Sequence, residues 1–329
     1  MTNQALIPTP LADHPAFSRT FAPGRLTLGF IAPIEGYPDG PAPTMANHAE
    51  VARLAEEVGI AALWLRDVPF YDPTFGDVGQ ILDPMVYAGW LATKTRNIAI
   101  GTGGIVAPLR DPLIVAKQAA SVDQLLGGRF LLGMASGDRP AEYPAFGVAY
   151  HTRTERYREA VEIVRTVSSQ QFPRHQSKHY GRLDGGLDLI PKPVAPHLPI
   201  IAIGRAGQDL LWLGANVDAW IWHGTDPARM TDIIPQWRDV TAEYGFKPYG
   251  YAAWFDLDSD PDAPIQPGRV LRGGRNALID FWQSQQQAGV SHVVLNMKPT
   301  RRPAEEILEE LGTHVIPLFP AHDPFKKAA

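Results

Sequence analysis

The sequence predicts one α/β domain folded as a (β/α)8 TIM barrel, on three observations. Short β-rich runs alternate with longer helical patterns along almost all of the 329 residues, the mark of a parallel sheet with crossover helices. Eight such units can be counted, the number that closes a barrel, and the chain length is normal for one. No Gly-x-Gly-x-x-Gly turn follows the first strand, which counts against a doubly wound open sheet.

The first unit pairs a strand at 26–31 with a helix at 44–58, begun by Thr44 as cap and stopped by Gly59. Strands at 60–65, 97–101 and 130–134 precede helices at 83–95, 111–126 and 152–168. The second half repeats the pattern with strands at 200–203, 219–222, 249–255 and 292–296. Their helices are expected at 208–213, 227–244, 275–288 and 304–314. Closure requires the first and eighth strands to pair. Two insertions interrupt the series. Residues 170–199, after the fourth helix, are too many for a simple loop and predict an extra strand pair or excursion around 187–190. Residues 256–274, after the seventh strand, are rich in Pro, Gly and Asp and lie on the mouth side, where a lid would stand. Residues 1–24 read as a proline-containing N-terminal arm, leaving 25–329 as the barrel domain.

Composition excludes several function classes. A net charge of −5 gives neither the basic face that nucleic acid wants nor a pull toward an anionic membrane. The chain has no cysteine, so disulfides, thiol catalysis and cysteine-ligated metals are ruled out. The histidines are scattered, and no metal site is expected. The first ten residues carry no basic residue and no apolar core, so no secretory signal is expected. No apolar run is long enough for a membrane span, and a cytoplasmic address is expected.

In such a barrel the chemistry belongs to the loops after the strands. The turn from Gly204 through Arg205, Ala206 and Gly207 to Gln208 opens a helix. Free amides, the helix dipole and the Arg205 charge would suit an anion, and an ordinary βα turn with a surface arginine is the equal alternative. Gly103-Gly104 would let a flat ligand lie against the backbone, or simply form a bulge that ends the strand. Asp67, Asp138, Arg139 and His223 stand just after strands as candidate acid–base or ligand-binding groups. Asp67 and Glu35 could serve as acid–base groups near a ligand, or be ion-paired with Arg66 or another arginine at the rim.

Several segments carry a family resemblance when taken in order. Residues 101–112 run from Gly101 through Gly103, Gly104 and Pro108 to Arg110, Asp111 and Pro112. Gln118, Asp123, Gly127-Gly128-Arg129-Phe130, Ser136-Gly137-Asp138, Phe146-Gly147 and Arg153 follow. That string resembles the bacterial luciferase-like flavin-dependent oxidoreductase superfamily, with weaker similarity over nearly the whole chain. The resemblance implies a (β/α)8 barrel holding FMN, or the deazaflavin F420, at its mouth. It maps the cofactor onto Gly103, Gly104, Ser136, Arg153, Tyr157 and the turn Gly204–Gln208, and puts a cis peptide at Gly103-Gly104. Luciferase-type members carry a catalytic histidine after strand two, where this chain has Asp67; the redox chemistry then rests on the cofactor itself. The implied function is that of an FMN-dependent monooxygenase taking reduced flavin, O2 and a small organic substrate. An F420-dependent hydride-transfer enzyme and a flavin-binding protein without turnover are the alternatives. A separate flavin reductase and a homo-oligomer, such as a homodimer, are the expected partners.

Overall fold

The computed structural model describes residues 11–79, 81–224 and 226–322. Eight parallel strands form the wall: β1 (Thr27–Ala32), β2 (Ala62–Leu65), β3 (Ala99–Thr102), β4 (Phe130–Ala135), β5 (Ile200–Ile203), β6 (Ala219–His223), β7 (Tyr249–Leu257) and β8 (Val290–Asn296). Each pairs with its neighbours in chain order, and β8 returns to β1 in the register Thr27–His292 to Phe30–Leu295. The sheet is therefore closed, as the count of units requires. Side chains alternate across the wall. Leu28, Phe30, Leu63, Leu65 and Leu132 pack outward under the helices, while Ile31, Ala62, Trp64, Leu131, Ile201 and Val294 fill the interior.

The N-terminal residues differ from the expected arm, of which residues 1–10 lie outside the described residues. A helix, Pro15–Thr20, starts on a proline at its first position, where the missing N–H costs nothing, and His14 caps it. Its Phe17, together with Leu11, Ala16 and Phe21, packs into the interior cluster of the barrel. Arg19 donates to the carbonyls of Ile60 and Ala61 just before β2, which places the helix across the N-terminal end of the strands. The prolines mark the helix start and the return to β1; they do not mark a detached segment.

The insertions also differ from expectation. The extra strand pair exists, but as an antiparallel hairpin of Arg174–Gln176 with Arg182–Asp184, ahead of 187–190, where Leu187 and Ile190 are exposed. Residues 256–274, where a lid would stand, carry structure of their own. Val270–Gly273 lies parallel beside the end of β7, Arg272 pairs with Asp256 at 2.9 Å, and Asn276 N–H reaches Pro261 O at 3.0 Å. The first helix begins at His48, later than expected, because Asn47 before it takes a left-handed φ of 53°.

The barrel floor is held by one hydrogen-bonded chain. Trp64 Nε1 donates to His292 Nε2 at 3.0 Å, so the imidazole proton sits on Nδ1, 2.7 Å from Thr27 Oγ1, and Thr27 donates to Thr20 O at 2.6 Å. Burial pushes the His292 pKa down to about 3. Burial, with His197 nearby, brings that of His14 to about 4. Both rings stay neutral in the folded chain at pH 5, whereas the unfolded chain protonates them below 6.5. Stability is therefore lost as pH falls from 6.5, by about 2 kcal/mol per histidine at pH 5. Urea unfolding at pH 7.5 and 5.0 checks this; equal stability at the two values would refute it.

Candidate active site at the C-terminal mouth

The C-terminal ends of β2 to β6 and the loops after them enclose a cavity of about 310 Å³, within the usual span of small-molecule sites. Asp67, Gly103, Gly104, Ser136, Asp138, Arg139, Gly204, Arg205, Ala206 and His223 all line it, so ten residues singled out in the sequence converge. Arg153, Tyr157, Gly207 and Gln208 do not line it, and their roles differ from one another.

Asp67 is not poised for proton transfer. Its carboxylate accepts Arg110 Nη2 at 2.6 Å, Arg110 Nε at 2.8 Å and Val106 N at 2.9 Å. The pair ties the end of β2 to the segment after β3, and Arg110 also meets Asp83 at 2.8 Å. The ion-pair alternative thus holds for Asp67, with Arg110 as partner. Glu35 does neither job expected of it: its two oxygens accept the backbone N–H groups of Thr44 and Met45, holding the loop after β1. Asp138 and His223 are exposed at the cavity and make no side-chain hydrogen bond among the described residues.

The floor is glycine. The Gly103–Gly104 peptide is cis. A Cβ on Gly104 would stand 2.7 Å from Ile203 Cγ1 and 3.0 Å from Gly133, so packing against β4 and β5 already demands glycine there. A Cβ on Gly103 would find only ordinary contacts, the nearest at 3.4 Å.

One end of the cavity suits an anion. Gly204, Ala206 and Gly207 have φ of 68°, 51° and 72°, so left-handed residues flank Arg205, the kind of backbone that can turn successive amides toward one anion. The amides of Arg205, Ala206 and Gly207 donate to no protein acceptor among the described residues. The helix expected to begin at this turn starts later, at Leu210, and Asp209 caps it by accepting Trp212 N at 2.7 Å. Its dipole is therefore met by a carboxylate and is not what the turn offers. The helix Arg153–Ser169 lies alongside instead, close enough that a Cβ on Gly207 would fall 2.4 Å from Thr154 Oγ1, and its N-cap Thr152 makes no capping bond.

Arg153, at the start of that helix, lies 3.9 Å from the Tyr150 ring centroid and donates to Tyr150 O at 3.1 Å. Gln208 is structural: it donates to Thr154 O and Ala206 O and accepts from Arg158, stitching turn to helix. Tyr157 is fully buried, packs on Trp212 and reaches Met134 O at 3.4 Å, so it cannot touch a ligand.

Residues 66–79 follow β2 beside the mouth, and Arg66, Asp67 and Val68 of them line the cavity. Asp77 anchors them, taking Arg66 Nη1 at 2.6 Å, Gly79 N at 2.8 Å and Tyr37 OH at 3.2 Å, with Lys298 Nζ at 3.6 Å. Arg139 Nη2 donates to Asp77 O at 2.7 Å, and its guanidinium lies 4.7 Å from the Phe75 ring centroid. Asp77 and Glu142, a further cavity residue, were missed in the sequence because neither stands in a motif. Away from the mouth, Glu155, Glu159 and His179 gather on the outside of the barrel, where Lys178 and His179 already pair with Glu155.

A model for luciferase-like monooxygenases matches residues 26–255. The chain belongs to the luciferase-like monooxygenase family. It is an oxidoreductase by that membership, and the family uses FMN or F420. A 4-hydroxyprotoasukamycin monooxygenase of Streptomyces nodosus subsp. asukaensis is 26% identical over 232 residues, which are 67% of this chain but only 60% of that protein. An F420-dependent glucose-6-phosphate dehydrogenase of Kineococcus radiotolerans is 28% identical over 186 residues, 55% of this chain and 52% of the relative. Among solved structures, monooxygenase RslO1 of Streptomyces bottropensis superposes with a TM-score of 0.72 at 18% identity, covering 88% of this chain and 99% of that one. An F420-dependent secondary alcohol dehydrogenase in complex with an F420–acetone adduct gives 0.72 at 18%, covering 88% and 98%. At these identities the likeness of the solved structures is one of fold. Among the described residues no helix is long and apolar enough to cross a membrane.

Proposed function

We propose that the chain is an FMN-dependent monooxygenase acting on a small organic substrate with reduced flavin and O2. The observation that carries this reading is the turn at Gly204–Gly207, with left-handed backbone and amides that no protein acceptor takes among the described residues, placed at one end of a cavity floored by Gly103 and Gly104. A flat ring bearing a phosphate on a flexible chain matches both features. The amides of Arg205 to Gly207, the Arg205 side chain and the start of the Arg153 helix would hold the phosphate. The glycine floor would seat the ring, and the segment anchored by Asp77 beside the mouth would limit the entry of water. Bound flavin supplies the redox chemistry, so the chain needs no nucleophile of its own. Supply of reduced flavin by a separate reductase, and assembly as a homo-oligomer, belong to the same proposal.

F420 is the second reading, favoured by the F420-dependent relative and by the phosphate it shares with FMN. Absorbance titration with each cofactor, followed by oxygen uptake with reduced FMN and candidate substrates, separates the two. Failure to bind either cofactor would sink both.

Replacing Arg205 or Arg153 by Ala is expected to weaken FMN far more than riboflavin, which has no phosphate to lose. The expected loss is about 1–3 kcal/mol for each, the scale of a hydrogen bond to a charged group. Equal losses for the two ligands in a fluorescence titration would place these arginines on the ring or in the fold.

A further inference from the structure

Two side chains at the cavity are each left with a polar atom that the protein does not satisfy. Arg139 is 4% exposed and Glu142 is 6% exposed, and both line the cavity. Arg139 Nη1 and Glu142 Oε1 are buried with no hydrogen-bond partner among the described residues. Folded chains seldom leave such atoms unmatched, because an unpaired buried charge forfeits its hydration. Neither group is there by accident of a loose loop. Glu142 opens the short helix Glu142–Ala145, its N–H bonds to Arg139 O at 3.1 Å, and the hydroxyl of the buried Tyr143 bonds to Ser136 O. The other contacts of Arg139, to Asp77 O and the Phe75 ring, fix its guanidinium while leaving Nη1 free to donate. Each group therefore keeps one polar atom unmatched beside the cavity, as a ligand-recognition pair would.

The donor set defines the ligand. A guanidinium keeps its charge and can only donate, so Nη1 calls for an oxygen acceptor. A carboxylate oxygen calls for an N–H or O–H donor. We propose that Arg139 and Glu142 together grip a ligand edge in which a carbonyl oxygen neighbours an N–H, the edge of an amide or imide. Burial raises the Glu142 pKa, with Arg139 opposing and Asp67, Asp138 and Asp72 reinforcing, so a donor from the ligand also steadies its charged form. Two molecules could bring such an edge into this cavity: the pyrimidine ring of a flavin or deazaflavin, and an organic substrate with an amide. The proposal rests on the reading of the cavity as the cofactor and substrate site.

The first test needs no ligand. Replacing Glu142 by Leu removes an unmatched carboxyl without removing a protein hydrogen bond, so the ligand-free variant should unfold at equal or higher urea concentration than the parent. A lower midpoint would show that Glu142 serves the fold and would overturn the proposal. The second test compares riboflavin with 3-methylriboflavin, whose ring N–H is blocked. If the ring supplies the edge, the parent prefers riboflavin by about ten-fold or more, the scale of a hydrogen bond to a charged group, and E142L loses that preference. If the substrate supplies it, the two flavins bind alike in parent and variant. Uracil binding to the FMN-loaded protein, read by saturation-transfer NMR, is then lost in E142L and in R139M. Unchanged binding of both flavins and of uracil in both variants would overturn the proposal. If the parent binds no flavin, the functional reading fails, whereas the urea measurement and uracil binding to the ligand-free protein still decide the pair.

Discussion

Replacing Asp67 by Ala is expected to destabilise the protein by about 3 kcal/mol, the lower part of the range for breaking a buried ion pair. The substitution strands the Arg110 guanidinium, whose side chain is 23% exposed, and leaves Val106 N without its acceptor. Asp83 remains beside Arg110 and softens the loss, which is why the lower part of the range applies. Urea unfolding gives the number. The result also decides what kind of residue this is. A catalytic acid removed from the site would lower turnover and leave the unfolding midpoint in place. A residue clamping β2 to the segment after β3 lowers the midpoint first. Parental stability in the variant would reinstate Asp67 as a free functional group.

A larger loss is expected from Gly133→Ala. A Cβ at this position in β4 would fall 1.7 Å from the carbonyl oxygen of Thr102 in β3, and backbone on a neighbouring barrel strand cannot step aside. The cost should exceed about 4 kcal/mol, at the extreme of single substitutions. Gly204→Ala is the control. Its Cβ would meet nothing within 4 Å, but φ is 68°, so only the left-handed penalty of about 1–2 kcal/mol applies. Thermal unfolding followed by circular dichroism measures both. A G133A protein as stable as G204A would mean that β3 and β4 can part locally without loss of the barrel.

The barrel was legible because each strand carries its own run of apolar residues and each helix its own period, and the closing pair of β1 with β8 follows from the count. The left-handed shape of the turn after β5 was legible too, since Gly204 and Gly207 mark it in the chain itself. Its mechanism was not: the dipole argument failed at Asp209, which caps the following helix. The partnership of Asp67 with Arg110 spans 43 residues and is set by the approach of two loops, which spacing does not reveal. Glu142 and Asp77 matter through burial and through the groups around them, and neither property is written locally. The strand inside residues 256–274 was not legible because turn-forming residues reveal where a chain bends. They do not reveal that Val270–Gly273 will settle against β7.

The helix Pro15–Thr20, wedged across the strand N-termini, turns the barrel into a cul-de-sac. Phe17 and Phe21 stopper the lower end, with the His292 chain bolted beneath Trp64. The C-terminal mouth is then the barrel's one open end among the described residues, and the Phe70 and Phe146 ring centroids stand 5.9 Å apart on the loops after β2 and β4.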